Sequence, residues 1–163
     1  MSEIREITDA PTLDLTRIFE TVEFRDAYRI SYLANAITVP GYEDIKRDFG
    51  IIRAEYLLLL CLAHFPVLTA QDVSRITRRP RNSISRAVHR MLAEGYLDRA
   101  QDPDDGRQAK LTLTEKGRKL HEQVAACLVR REAELMAALT PEEHADFDRL
   151  LRKVSRYAAT LAR

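Results

Sequence analysis

Between Val73 and Ala93 the chain places six arginines, at 75, 78, 79, 81, 86 and 90, with no lysine and no acidic residue among them. Guanidinium groups at that density do one kind of chemistry well: they hold phosphates and base edges through charge-assisted, often bidentate hydrogen bonds. The whole chain of 163 residues carries a formal charge of only +1, so the positive charge is focused here and the remainder is negative on balance. A solvated helical face normally mixes both signs, and this stretch does not. The pattern points to a polyanionic partner, double-stranded DNA foremost.

Other chemistry finds little support. There is no glycine-rich phosphate loop, no G-x-S-x-G, and no nucleophile and base in a recognisable pairing, so an enzyme is not expected. The histidines at 64, 89, 121 and 144 are scattered, without the close spacing of a zinc site. Neither a metal nor a cofactor is expected. Cys61, inside LLLLCLA, reads as an inert buried thiol, and Cys127 lies on a long helix with nothing beside it to favour redox work. One further constellation stands out. Phe24, Tyr28 and Tyr32 recur at helical spacing with Arg25 and Arg29 adjacent, which would suit an aromatic carboxylate, and His64 ends an apolar segment. The plainer alternative is a stripe buried between subunits, flanked by solvated arginines and a helix-terminal histidine.

These residues need elements to position them. Periodicity predicts an N-terminal helix from Leu13 to Ile37, broken by VPGYED around Pro40 and Gly41. A second helix, Arg53 to Phe65, is apolar nearly all round and should be central, with Pro66 stopping it. Thr69 and Asp72 then open a short helix, Ala70–Thr77. After an arginine-bearing turn, Asn82 to Glu94 carries an inward stripe of Ile84, Ala87, Val88, Met91 and Leu92, ended by Gly95. Tyr96–Ala100 and Lys110–Leu113 read as strands joined by QDPDDGRQA. Thr114 caps one closing helix, carrying Leu120, Val124 and Leu128. Thr140-Pro141-Glu142-Glu143 starts another, on which Phe147, Leu150, Leu151, Val154, Tyr157, Ala158 and Leu161 repeat like a coiled-coil seam.

Two helices, a short turn and a hairpin describe a winged helix-turn-helix, whose second helix enters the major groove. The outward stripe of that helix is Asn82, Arg86 and Arg90, with Ser83, Ser85 and His89 beside it. Arginine suits guanine and asparagine suits adenine, while serine and histidine serve bases or phosphates. Arg78, Arg79 and Arg81, in the turn, are better placed for phosphates. In the hairpin loop Arg107 would lead into the minor groove, held by Asp105. The alternative for Arg107 is simple neutralisation of the neighbouring aspartates.

Asp105-Gly-Arg107 followed by Leu113-Thr114-Glu-Lys-Gly117 resembles the MarR family of bacterial transcriptional regulators, in which a D-x-R wing precedes L-T-x-x-G. NSISRAVHRMLAEGYLDR is similar to that family's recognition helix and first wing strand, over a coverage of roughly Ile52 to Val124. The turn RRPR departs from it, being richer in arginine and lacking a glycine. The resemblance implies a homodimer joined by N- and C-terminal helices, a pseudo-palindromic operator, and in many members a small aromatic acid or acyl-CoA thioester as effector.

The expected fold is therefore mainly α: a winged helix-turn-helix with a two-stranded wing hairpin, flanked by long N- and C-terminal dimerisation helices. Residues 1–50 would be the N-terminal dimerisation helix and linker, 51–114 the DNA-binding domain, and 115–163 the C-terminal dimerisation helices. The functional expectation is a dimeric, sequence-specific regulator, a repressor released by a small molecule. A winged-helix protein-docking module and a nonspecific architectural DNA-binding protein are the competing readings. Two cysteines without a disulfide framework and no apolar run near the ~20 residues of a membrane span suggest a cytoplasmic protein that does not meet a membrane.

Overall fold

The computed structural model describes residues 17–101 and 109–161. The chain divides into two compact units, Met1–Ala36 and Ile37–Arg163.

In the first unit, α1 (Arg17–Thr21) is a single turn and α2 (Arg25–Phe49) begins after a short bend. The sequence predicted one continuous helix here. Arg29 shows what holds the bend: its guanidinium donates to the Phe19 carbonyl at 3.0 Å and pairs with Glu20 at 2.8 Å. Those contacts satisfy the end of α1 that a continuing helix would otherwise have used. The Phe19 ring then meets Tyr32 edge-on at 4.8 Å and Tyr28 at 6.0 Å.

A second correction concerns Pro40. It does not end the helix, because α2 runs through it to Phe49. An interior proline costs about 3 kcal/mol, and burial offsets that cost here. Ile45 is completely buried, and Gly41 lies so close to a later helix that a Cβ would stand 2.7 Å from Leu128 Cδ2. Proline removes one rung of the ladder, while the glycine beside it admits a neighbouring helix.

The second unit holds the core. After Gly50, at φ +69°, α3 (Arg53–His64) buries Ala54, Tyr56, Leu58, Leu59, Cys61 and Leu62. Burial pushes the Cys61 thiol above its ordinary range, as expected of an inert cysteine. Strand β1 (Leu68–Thr69) leads into α4 (Ala70–Thr77), then α5 (Arg81–Ala93), β2 (Leu97–Gln101), β3 (Ala109–Leu113), α6 (Glu115–Met136) and α7 (Pro141–Thr160). The sheet is antiparallel in the order β1-β3-β2. The predicted hairpin is thus present, with Leu97 opposite Leu113 and Gln101 opposite Ala109. It gains a third, two-residue strand pairing Leu68 with Leu111, too short to leave a periodic signal in sequence.

The helix starts are chemically explicit. Thr69 Oγ1 accepts from the Asp72 amide at 3.1 Å, and the Asp72 carboxylate accepts from the Thr69 amide and hydroxyl. Those bonds hold Asp72 below the usual carboxylate range. Thr140 and Glu143 form the same reciprocal box at the start of α7. Thr114 Oγ1 accepts from the Gly117 amide and donates to the Gly95 carbonyl at 2.8 Å, tying the base of the wing to α6.

Candidate nucleic-acid interface

The helix-turn-helix is built by α4 and α5, with α5 packed on α3 and α4. Ile84, Ala87, Val88 and Met91 point inward, as predicted. Burying them leaves Arg81, Asn82, Ser85, Arg86 and His89 exposed on the opposite side, with Ser83 half-buried at the edge.

The turn needs no glycine. Arg78 itself adopts the left-handed conformation, at φ 53°, a geometry that disfavours most side chains. It is held there by bonds on either side: the Arg79 amide donates to the Ser74 carbonyl at 3.2 Å, and Ser74 Oγ donates to the Arg79 carbonyl at 2.7 Å. Thr77 Oγ1 adds a bond to the Val73 carbonyl. Pro80 then serves as N-cap, its carbonyl accepting from Ser83 and Ile84, so the recognition helix starts at Arg81. Pro80 has its φ preset, and a cap position asks nothing of its missing amide proton.

The arginines divide by partner. Arg75 pairs with Asp72 at 2.9 Å on the outer side of α4. Arg78 reaches the Ala158 carbonyl at 3.4 Å, a long and exposed contact. Arg79, Arg81 and Arg86 have no acidic partner among the described residues. Arg90 differs from what its place in the stripe predicted. Its Nη1 donates to both Glu55 oxygens at 3.0 Å, and its Nη2 donates to the Gly50 carbonyl at 2.8 Å. A guanidinium so engaged is turned toward the protein rather than toward a base. The physical reason is Glu55, which is 2% exposed and whose charge must be paired where it lies. Sequence periodicity places Arg90 on a face but cannot see an acid 35 residues away.

Arg107 and Asp105 lie outside the described residues. Arg99, which sequence reasoning did not single out, is exposed on β2. It borders a cavity of about 260 Å³ between the start of α4, α5 and the sheet, lined also by Gln71, Ser85, His89 and Leu111. Strand alternation puts Arg99 on the face of buried Leu97, but only the pairing of the sheet brings it beside α5.

The aromatic stripe is placed only in part as predicted. Tyr28 and Tyr32 meet Phe19, whereas Phe24 is 63% exposed. Arg25 is exposed, and Arg29 is committed to Phe19, Glu20 and, at 3.7 Å, Asp26. In the other unit, His64 Nδ1 lies 2.9 Å from the Leu60 carbonyl, and its ring stands 6.2 Å from His121. That histidine pair had no sequence signal, since 57 residues separate its members.

The fold is that of a winged helix-turn-helix, with this face on its second helix. A family profile described as "MarR family" matches residues 49–108, from the α2–α3 joint into the wing. The chain is 24% identical over 123 residues to an HTH-type transcriptional repressor of Mycobacterium tuberculosis, covering 76% of this chain and 88% of that one. It is similar in structure to Escherichia coli MarR in its apo form, with a TM-score of 0.71, 22% identity, and coverage of 78% and 94% of the two chains. It is likewise similar to Bordetella bronchiseptica BpsR, whose DNA binding is regulated by 6-hydroxynicotinic acid; there the TM-score is 0.62, identity 23%, and coverage 78% and 98%. Residues 49–108 are accordingly similar to the MarR family, and the chain shares the fold of the solved MarR structure. Among the described residues no helix is long and apolar enough to cross a membrane.

Proposed function

We propose that this chain is a cytoplasmic homodimeric repressor that binds a pseudo-palindromic operator and is released by a small anionic aromatic effector. One observation carries the DNA reading. The exposed face of α5 offers Asn82, Ser85, Arg86 and His89 over a scaffold that buries the opposite face, with no acidic residue in the helix. Arg86 and Asn82 are the base readers, by the bidentate geometry each can form with guanine and adenine. Arg79, Arg81 and Ser83 hold the backbone, with Arg78 at the turn and Arg107, steadied by Asp105, in the wing. Arg99 and His89, beside the N-terminal amides of α4, suit a phosphate at the groove edge.

Dimerisation is supported by α7. Leu150, Val154 and Tyr157, with Leu161 just past its end, repeat at intervals of 4, 3 and 4, no residue of the helix is buried among those described, and Tyr157 is 65% exposed. A seam of that kind belongs against another helix. The repressor sense is supported by the mycobacterial relative, and the aromatic-acid effector by the Bordetella protein. Phe24, Tyr28 and Tyr32 with Arg25 are the effector contacts in this reading, together with Arg29 if the ligand displaces Glu20 from it; His64 is a separate candidate contact.

The test is selection of bound sequences from random duplex DNA, repeated across salt concentrations. An inverted repeat should emerge, with affinity falling by about 0.9 log per log of salt for each phosphate contact. Enrichment of no sequence at high affinity would favour an architectural protein, and absence of DNA binding would favour a protein-docking module. A thermal-shift series with hydroxylated aromatic carboxylates tests the effector.

A further inference from the structure

The geometry points to Arg90 as a positioning residue, the centre of a clamp that sets the angle of the recognition helix from the joint between α2 and α3. It sits in the last turn of α5 and reaches away from the exposed face. One nitrogen binds both oxygens of Glu55, in the first turn of α3, and the other binds the carbonyl of Gly50, just past the end of α2. A single planar guanidinium on α5 therefore reaches both α3 and the residue that follows α2. Glu55 is itself fixed from the far side, accepting from the Ile52 amide at 2.8 Å. Gly50 keeps its carbonyl in place through a positive φ and a bond from its amide to the Lys46 carbonyl at 3.0 Å.

The chemistry suits a coupling element. Glu55 is buried, as are its chain neighbours Ile51, Ala54 and Tyr56, while the Arg90 side chain that pairs with it is 47% exposed. An ion pair there supports stability weakly but has narrow geometric tolerance, because among the described residues the only other donor bonded to the carboxylate is the Ile52 amide. A shift of the α2–α3 joint consequently either moves α5 with it or leaves Glu55 unpaired. Base readout tolerates little misplacement, so such a shift reaches Asn82 and Arg86 as a change in specific affinity. The clamp rests on the operator-binding reading above.

Glu55→Gln separates this role from simple electrostatics. Glutamine keeps the bond to the Ile52 amide, since Gln serves in a capping box as well as Glu, but it weakens the hold on Arg90. The variant removes a negative charge and releases a positive one, so charge alone predicts tighter binding to any DNA. The clamp predicts the opposite on the selected operator: affinity falls about tenfold, the scale of one lost bidentate base contact. Binding to random DNA is unchanged or stronger, and the salt slope on random DNA is kept. Retained random-DNA binding also shows that the variant is folded. Arg90→Lys, which keeps the charge but cannot span both partners, should behave in the same way. Unchanged or tighter operator binding by both variants would overturn the clamp, as would equal losses on operator and random DNA. If the unmodified protein selects no operator, the operator reading fails instead, and the two failures are distinct.

Discussion

Arg86 and His121 are the residues whose surroundings make the sharpest demands. Arg86 projects from the exposed side of α5 without an acidic partner among the described residues, so nothing within the described chain competes for its donors. Arg86→Ala should cost about 1–3 kcal/mol on the selected operator and much less on random DNA, as read from titrations on the two duplexes. Equal losses would make it a phosphate contact. His121 sits on α6 with its Nδ1 buried and unbonded among the described residues. Burial, and then the neighbouring His64 imidazole, lower its pKa from the ordinary 6.5. The unfolded chain then takes up the proton first as pH falls. Stability should therefore drop as pH descends through about 6.5, and His121→Gln should flatten that slope in thermal melts from about pH 7 to about pH 5. A slope identical in both proteins would remove His121 from the explanation.

At the scale of elements, two glycines separate a rigid obstacle from a yielding one. A Cβ on Gly117 would lie 2.1 Å from the Tyr96 carbonyl oxygen, which is backbone, while one on Gly41 would meet only the end of the Leu128 side chain at 2.7 Å. Gly117→Ala must push α6 off the base of the wing, so its cost should be at the upper end of the 1–3 kcal/mol typical of overpacking, or above it. Gly41→Ala can turn Leu128 aside and recovers about 1 kcal/mol of helix propensity, leaving a change near zero. Urea denaturation of the two variants gives the order, and comparable losses would contradict it. The same contact explains why glycine falls at that place in Leu113-Thr114-Glu-Lys-Gly117. Thr114 caps the helix and bonds back to Gly95, and Gly117 lets the first turn of α6 touch the wing. The capping residues Thr69, Thr114 and Thr140 were legible because a cap is a local transaction between neighbours. The bend between α1 and α2 was not, because Arg29 makes it by reaching back ten residues.

At the scale of the molecule, α7 carries an apolar seam with no buried residue among those described. Substituting Val154, which is 56% exposed, removes no core contact, so Val154→Glu should leave the fold of the chain intact. In the dimeric reading it buries two charges against each other. Sedimentation should then report a monomer, and operator affinity should fall with it, since two half-sites are no longer held together. A variant that remains dimeric would assign the interface to another surface. The clamp at Arg90 belongs to this scale as well, because it links the joint beneath α3 to the helix that carries the exposed arginine face.

The amino-acid order alone determined the winged helix-turn-helix, its helix caps, the hairpin, and an arginine-rich face free of acids. All of these are written in periodicity and nearest-neighbour chemistry, which act over a few residues. Only the tertiary structure decided that Pro40 would sit inside a helix, that Arg78 would supply the left-handed turn, and that Arg99 would stand beside α5. It also decided that Arg90 would turn inward to Glu55. Each of those outcomes depends on burial or on a partner distant along the chain, and a buried charge takes the counter-charge that packing brings to it, whatever face the helical period had assigned.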